Sequence, residues 1–222
     1  MLKPKKRITR QQIKEDKLIA FTAKASNFYD RNSRNILAGA GIIVVLAVVV
    51  GFFINNRVQA EKVATFELLL AKIEIGQQNY DTAAQKLTQV IETYSGTRSA
   101  GDAQFFLGNV QLAMQDWSGA RTAFQQYLDR YGKDPQFSAA AITGLGFADE
   151  HEKKFLDAAE HYLEAADSYP DEYNAPQYLL DAGRCFALAG ETSKAHDAFQ
   201  LIVKRYPESA QNQKAEDELN RW

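Results

Sequence analysis

Cysteine is almost absent from this 222-residue chain. Cys185 stands alone, so no intramolecular disulfide can form and the fold must be held by packing. No N-x-S/T sequon occurs, which argues against a secreted eukaryotic protein. A phosphate-binding glycine loop, a dinucleotide fingerprint and a nucleophile elbow are also missing. The histidines His151, His161 and His196 show no ligand-like spacing to cysteines or carboxylates. "HEKKF", His151 to Phe155, begins like a zinc-binding helix, but Phe155 stands where the second histidine must be. The expectation is a protein without catalytic residues, cofactor or metal.

Charge is missing in one place only. From Ile36 to Ile54 there are 19 residues with no charge, no proline and no polar side chain, and 13 of them are Ile, Leu, Val or Phe. As a helix the run is about 28 Å long, close to the ~30 Å hydrocarbon core of a bilayer. A buried core helix is the duller alternative, but no second segment is apolar enough to cover it. A cleaved signal peptide is another, yet the run exceeds the usual length and 35 residues precede it. A transmembrane helix over 36–54 is the expectation. No proline interrupts Val58–Ile75, so a helix can run on beyond it.

The flanks differ in charge. Residues 1–35 hold ten Lys/Arg against three acids, a net +7; the whole chain is −2, so the rest carries −9. Basic flanks stay cytoplasmic. The N-terminus is therefore expected inside and the larger C-terminal part across the membrane, in the periplasm of a bacterium. The −9 part would repel nucleic acid. The basic start fits anionic lipid head groups. Within residues 1–35, Ile8, Thr9, Gln12 and Ile13 have the spacing of a capped, stapled helix start. Leu18, Phe21, Ala25 and Phe28 share one helix face. Two readings stay open: an amphipathic helix on the membrane surface, presenting Ile13, Leu18, Phe21 and Phe28, or a docking helix for a membrane protein.

The remaining residues repeat. Ala83, Ala120, Ala158 and Ala195 recur at steps of 37, 38 and 37. Three residues before them stand Tyr80, Trp117, Phe155 and Thr192; four after stand Leu87, Phe124, Tyr162 and Phe199; eleven after stand Tyr94, Tyr131, Tyr169 and Tyr206. Upstream, Leu70-Ala71, Leu107-Gly108, Leu145-Gly146 and Ala182-Gly183 keep the same register. Each unit reads as two helices, with small residues allowing close approach and large ones filling grooves. "YPESAQNQKAEDELNRW" supplies a last helix whose Ala215, Leu219 and Trp222 form a capping stripe.

These columns resemble the tetratricopeptide repeat, with its Leu-Gly pair, aromatic, alanine, Phe or Tyr, and closing proline. The likeness covers roughly 61–207 and is best in "FFLGNVQLAMQDWSGARTAFQQYLDRY". It implies an all-α chain: an amphipathic helix over 1–35, a transmembrane helix over 36–54, and over 55–222 an α-solenoid of about four helix pairs plus a capping helix. The whole arrangement is similar to the ancillary subunit of the bacterial Sec translocon and to periplasmic repeat proteins that coordinate envelope machines. That likeness implies an adaptor or chaperone binding exported polypeptides or a membrane complex. A structural scaffold for such a complex is the alternative. Counting from the Leu-Gly columns places Phe105, Asn109, Phe147, His151, Leu180 and Arg184 along a peptide-binding groove. The aromatics among them can equally pack inward against the next repeat. Cys185 reads as a small core residue.

Overall fold

The computed structural model describes residues 10–221, with side chains from residue 19 onward except at 25, 27, 29, 30 and 36. Ile8, Thr9 and Trp222, and the side chains of Gln12, Ile13, Leu18 and Ala25, thus lie outside the description. Among the described residues every regular element is a helix, and there are nine: α1 Arg10–Gly76, α2 Tyr80–Thr93, α3 Arg98–Ala113, α4 Trp117–Tyr131, α5 Pro135–His151, α6 Phe155–Ser168, α7 Ala175–Leu188, α8 Thr192–Arg205 and α9 Asn212–Leu219. The chain divides into two compact units, 1–56 and 57–222.

In the first unit the described part is helical. Leu37 to Ile54 present their large apolar side chains outward, from 44% exposed at Val49 to 68% at Ile43. Phe21 and Phe28 are exposed as well. The helix is long and apolar enough to cross a membrane by length and composition.

In the second unit helices pair as hairpins. The second helix of each pair starts at the Tyr80/Trp117/Phe155/Thr192 column. It ends within a residue of the tyrosine column. Ala83, Ala120, Ala158 and Ala195 are all completely buried. The small column is needed: a Cβ added at Gly108 would stand 2.6 Å from the Phe124 ring. At Gly183 it would meet the Phe199 ring, with Cζ 2.7 Å away. At Gly146 it would meet Tyr162 and the Ala158 carbonyl at 3.1 Å. Three apolar cores follow along the stack. One joins Ala64, Leu68 and Ala71 of α1 to α2 and α3; the next spans α3 to α5; the last spans α6 to α9 and includes Cys185 and Ala215, with Leu219 packed on it.

The turn inside each hairpin is the same four times. Gln78, Gln115, Lys153 and Gly190 adopt left-handed backbone, with φ of 62°, 62°, 62° and 82°. The next residue donates its N–H back to Glu74, Gln111, Asp149 and Phe186 carbonyls, each at 2.9 Å. This is a C-terminal closure that pairs carbonyls which the end of a helix would otherwise leave without a partner. Glycine is the easy occupant of such a position, and only one repeat uses it. Other helix starts are capped by side chains: Thr97 accepts from Ala100 N, Asp116 from Gly119 N, and Asp134 from Gln136 N and Phe137 N.

Candidate functional site

α5 and α7 carry four of the six residues that the repeat register assigns to a groove. Phe147 and His151 lie one turn apart on α5, with ring centroids 4.1 Å apart. His151 Nδ1 is 3.0 Å from the Phe147 carbonyl. Trp117, the first residue of α4, adds a third ring, 4.6 Å from His151 and 6.3 Å from Phe147. Phe147 remains 40% exposed. The three rings therefore make an aromatic patch open to solvent.

Leu180 and Arg184 lie farther along the stack, on α7. With Ala187, Leu188 and Phe199 they line an open cleft of about 590 Å³, walled on its other side by Lys214, Asp217, Glu218 and Arg221 of the α9 region. The lining mixes apolar and charged side chains, which suits an apolar side chain carried by a segment with charged flanks. Arg184 is already committed. Its guanidinium donates to both Glu150 carboxylate oxygens at 2.7 and 2.8 Å. That pair holds the Glu150 carboxyl below its ordinary range. Tyr162 OH and Cys185 Sγ also donate to Glu150, at 3.2 and 3.6 Å. Burial pushes the Cys185 thiol up to about 12, with Glu150 adding to the effect.

Asn109 is exposed, and its Nδ2 donates to the Phe105 carbonyl one turn back. Phe105 takes the inward of the two positions that the register leaves open. It is only 8% exposed, stacked on Phe137 at 4.8 Å and in contact with Phe106, Phe124 and Tyr127. The start of α5 brings Phe137 over it, so this column turns inward in the second repeat. Its neighbour Phe106 is half-buried instead, under the Lys72 ammonium at 4.1 Å. Lys214, Asp217 and Arg221 were not legible in the register, because the α9 region repeats nothing; Leu188, at the end of α7, joins them only because that region packs beside it.

The "HEKKF" stretch has a structural explanation. Arg121 of α4 reaches buried Asp149 at 3.0 Å and Glu152 at 2.7 Å. His161 Nδ1 comes within 3.0 Å of Asp149, close enough for an ion pair but not aligned for a hydrogen bond. Arg121, and after it Lys154, hold the Glu152 carboxyl down to about 2. Among the described residues no three His, Cys, Asp or Glu side chains gather as a metal-ligand set.

The family described as Tetratricopeptide repeat matches residues 68–135 and 151–210, together more than half of the chain. Solved structures share the fold. A tetratricopeptide repeat protein from Parabacteroides merdae aligns with TM-score 0.59 and 12% identity, over 72% of this chain and 59% of that one. Pseudomonas aeruginosa pilF aligns with TM-score 0.50 and 18% identity, over 70% and 66%. YrrB, described as a TPR protein with an unusual peptide-binding site, aligns with TM-score 0.54 and 16% identity, over 69% and 74%. The aligned region thus spans less than two thirds of the first two structures. None of the curated proteins matches this chain.

Proposed function

Since the chain belongs to the tetratricopeptide-repeat family, we propose that it is a membrane-anchored adaptor of chaperone type, its repeats binding segments of other proteins at a cell-envelope complex. The observation that carries the reading is the open cleft where Leu180, Leu188 and Phe199 stand among charged side chains. Such a surface holds an apolar anchor weakly and reversibly. The anchor to the bilayer is the run 36–54, in which the large apolar side chains from Leu37 to Ile54 stay outward. The charge step from +7 to −9 favours a cytoplasmic N-terminus and repeats in the periplasm. The protein-export translocon is the machine that this arrangement suits best, with emerging chains as clients.

A second reading, a fixed scaffold, has its own observation. On α1 within the second unit, Val63, Phe66, Leu69 and Ile73 are 47–58% exposed. This apolar stripe matches a folded, permanent partner better than a passing chain.

A photocrosslinker placed at Leu188, or at Phe66, in the full chain in its own membrane separates the two. Many exported polypeptides captured at Leu188 is the expected result. One folded complex captured at Phe66, with nothing at Leu188, establishes the scaffold instead. Repeats that resist a protease added outside the cytoplasmic membrane would refute the exported orientation.

A further inference from the structure

One surface of the second unit gathers charge against the trend of its sequence. Residues 57–222 carry −9, with sixteen Lys/Arg against 25 acids. Four of those sixteen, Arg57, Arg98, Arg130 and Lys133, line a single open cavity of about 540 Å³. Elsewhere in the unit, cations are mostly spent on carboxylates: Lys86, Arg121, Lys154, Arg184, Lys194, Arg205 and Arg221 all form ion pairs. Among the described residues none of the four cavity cations has its charged side-chain group within 4.0 Å of a carboxylate oxygen.

Two acids share the wall, Asp102 and Asp134, so the lining has a surplus of two positive charges. Asp134 is engaged as the cap of α5. Burial raises the Asp102 carboxyl above its ordinary value, against the pull of Arg98 and Lys72. The amides at the start of α3 are also taken, since Glu61 accepts from Arg98 N at 2.7 Å and Ser99 N at 3.0 Å. An incoming anion would therefore be held by side chains. The wall itself is fixed. Arg57 Nη2 donates to the Gly96 carbonyl at 2.6 Å, using one of its five N–H donors, and Gly96 N donates to Tyr131 OH at 3.4 Å.

Cations that line one cavity without a carboxylate in ion-pair contact repel one another and favour an anion with several acceptor oxygens. Arg57 also follows Ile54 by three residues, so it stays within about 11 Å of the apolar run however the chain is drawn. We propose that this cavity binds the phosphate head group of an anionic phospholipid. The inference rests on the membrane-anchored reading above. A domain of −9 is pushed off an anionic leaflet within the Debye length, about 8 Å at physiological salt. Four cations in one cavity, with Arg57 three residues from the end of the apolar run, reverse that sign locally.

The test uses the full chain in nanodiscs of phosphatidylcholine, with or without phosphatidylglycerol, read by amide hydrogen exchange over 95–102 and 128–134. Phosphatidylglycerol should slow exchange in both segments by roughly tenfold or more. The protection should vanish in Arg98→Gln/Arg130→Gln/Lys133→Gln and survive in Arg98→Lys/Arg130→Lys. It should also survive in Lys153→Gln/Lys204→Gln, which removes equal-sign charge elsewhere. Equal protection from inorganic phosphate in phosphatidylcholine discs would make the ligand a soluble anion and overturn the lipid assignment. Loss of protection in the Lys153/Lys204 control would reduce the effect to net charge and also overturn it. A chain that stays with lipid after alkaline washing but gains no protection overturns this inference alone. A chain that washes off overturns the anchored reading, and this inference with it.

Discussion

Gly183 and Gly76 sit in the same kind of helix and face opposite constraints. A methyl group at Gly183 would collide with the Phe199 ring, whereas nothing lies within 4 Å of one at Gly76. Gly183→Ala should lower stability by about 1–3 kcal/mol, because the buried Phe199 ring must shift from its packed position to admit the methyl group. Gly76→Ala should leave it level or raise it by up to about 1 kcal/mol. Unfolding midpoints by circular dichroism check both. These small positions were legible in the sequence because four copies of one register expose a column. Phe105 was not. The register says which turn of the helix a residue occupies, but the side chain's neighbours depend on Phe137, 32 positions away.

Helix ends were legible for a similar reason. Tyr80, Trp117, Phe155 and Thr192 each open a helix, as their column predicts. The ties between helices were not. Arg121 meets Asp149 and Glu152 across 28 and 31 residues, and Glu61 caps α3 from 37 away. Charges crowd every solvated helix face, so no pattern marks the few that pair. One such tie has a pH signature. The Glu152 carboxyl is depressed from 4.5 to about 2, chiefly by Arg121. Its contribution to stability is present above about 4.5 and is lost as pH falls toward about 2. Arg121→Gln should therefore flatten the decline in urea midpoint across that window while leaving the slope near neutral pH unchanged. An unaltered acid slope would show that the pair carries no linkage.

At the scale of the whole molecule, the apolar run and the charge step were plain in the sequence, and so was the number of repeats. The cleft at Leu188 was not, since half of its wall comes from the α9 region, outside the repeating pattern. Repeat stacks hold together by contacts between neighbours, so their interiors open as the stack opens. Cys185 reports on this. It is fully buried in the last core, and its thiol is pushed up to about 12. Alkylation should be slow in the folded chain, and faster in Gly183→Ala in proportion to the lost stability. Labelling at the rate of a free thiol in the native protein would contradict the packing described here.

The left-handed joints at Gln78, Gln115, Lys153 and Gly190 have a genetic consequence. They fall 37, 38 and 37 residues apart and share a left-handed φ and the same backward N–H bond from the next residue. An in-frame duplication or deletion from one joint to the next would rejoin like with like. The gene can thus lengthen or shorten its array by whole cassettes, leaving each splice indistinguishable from those already present.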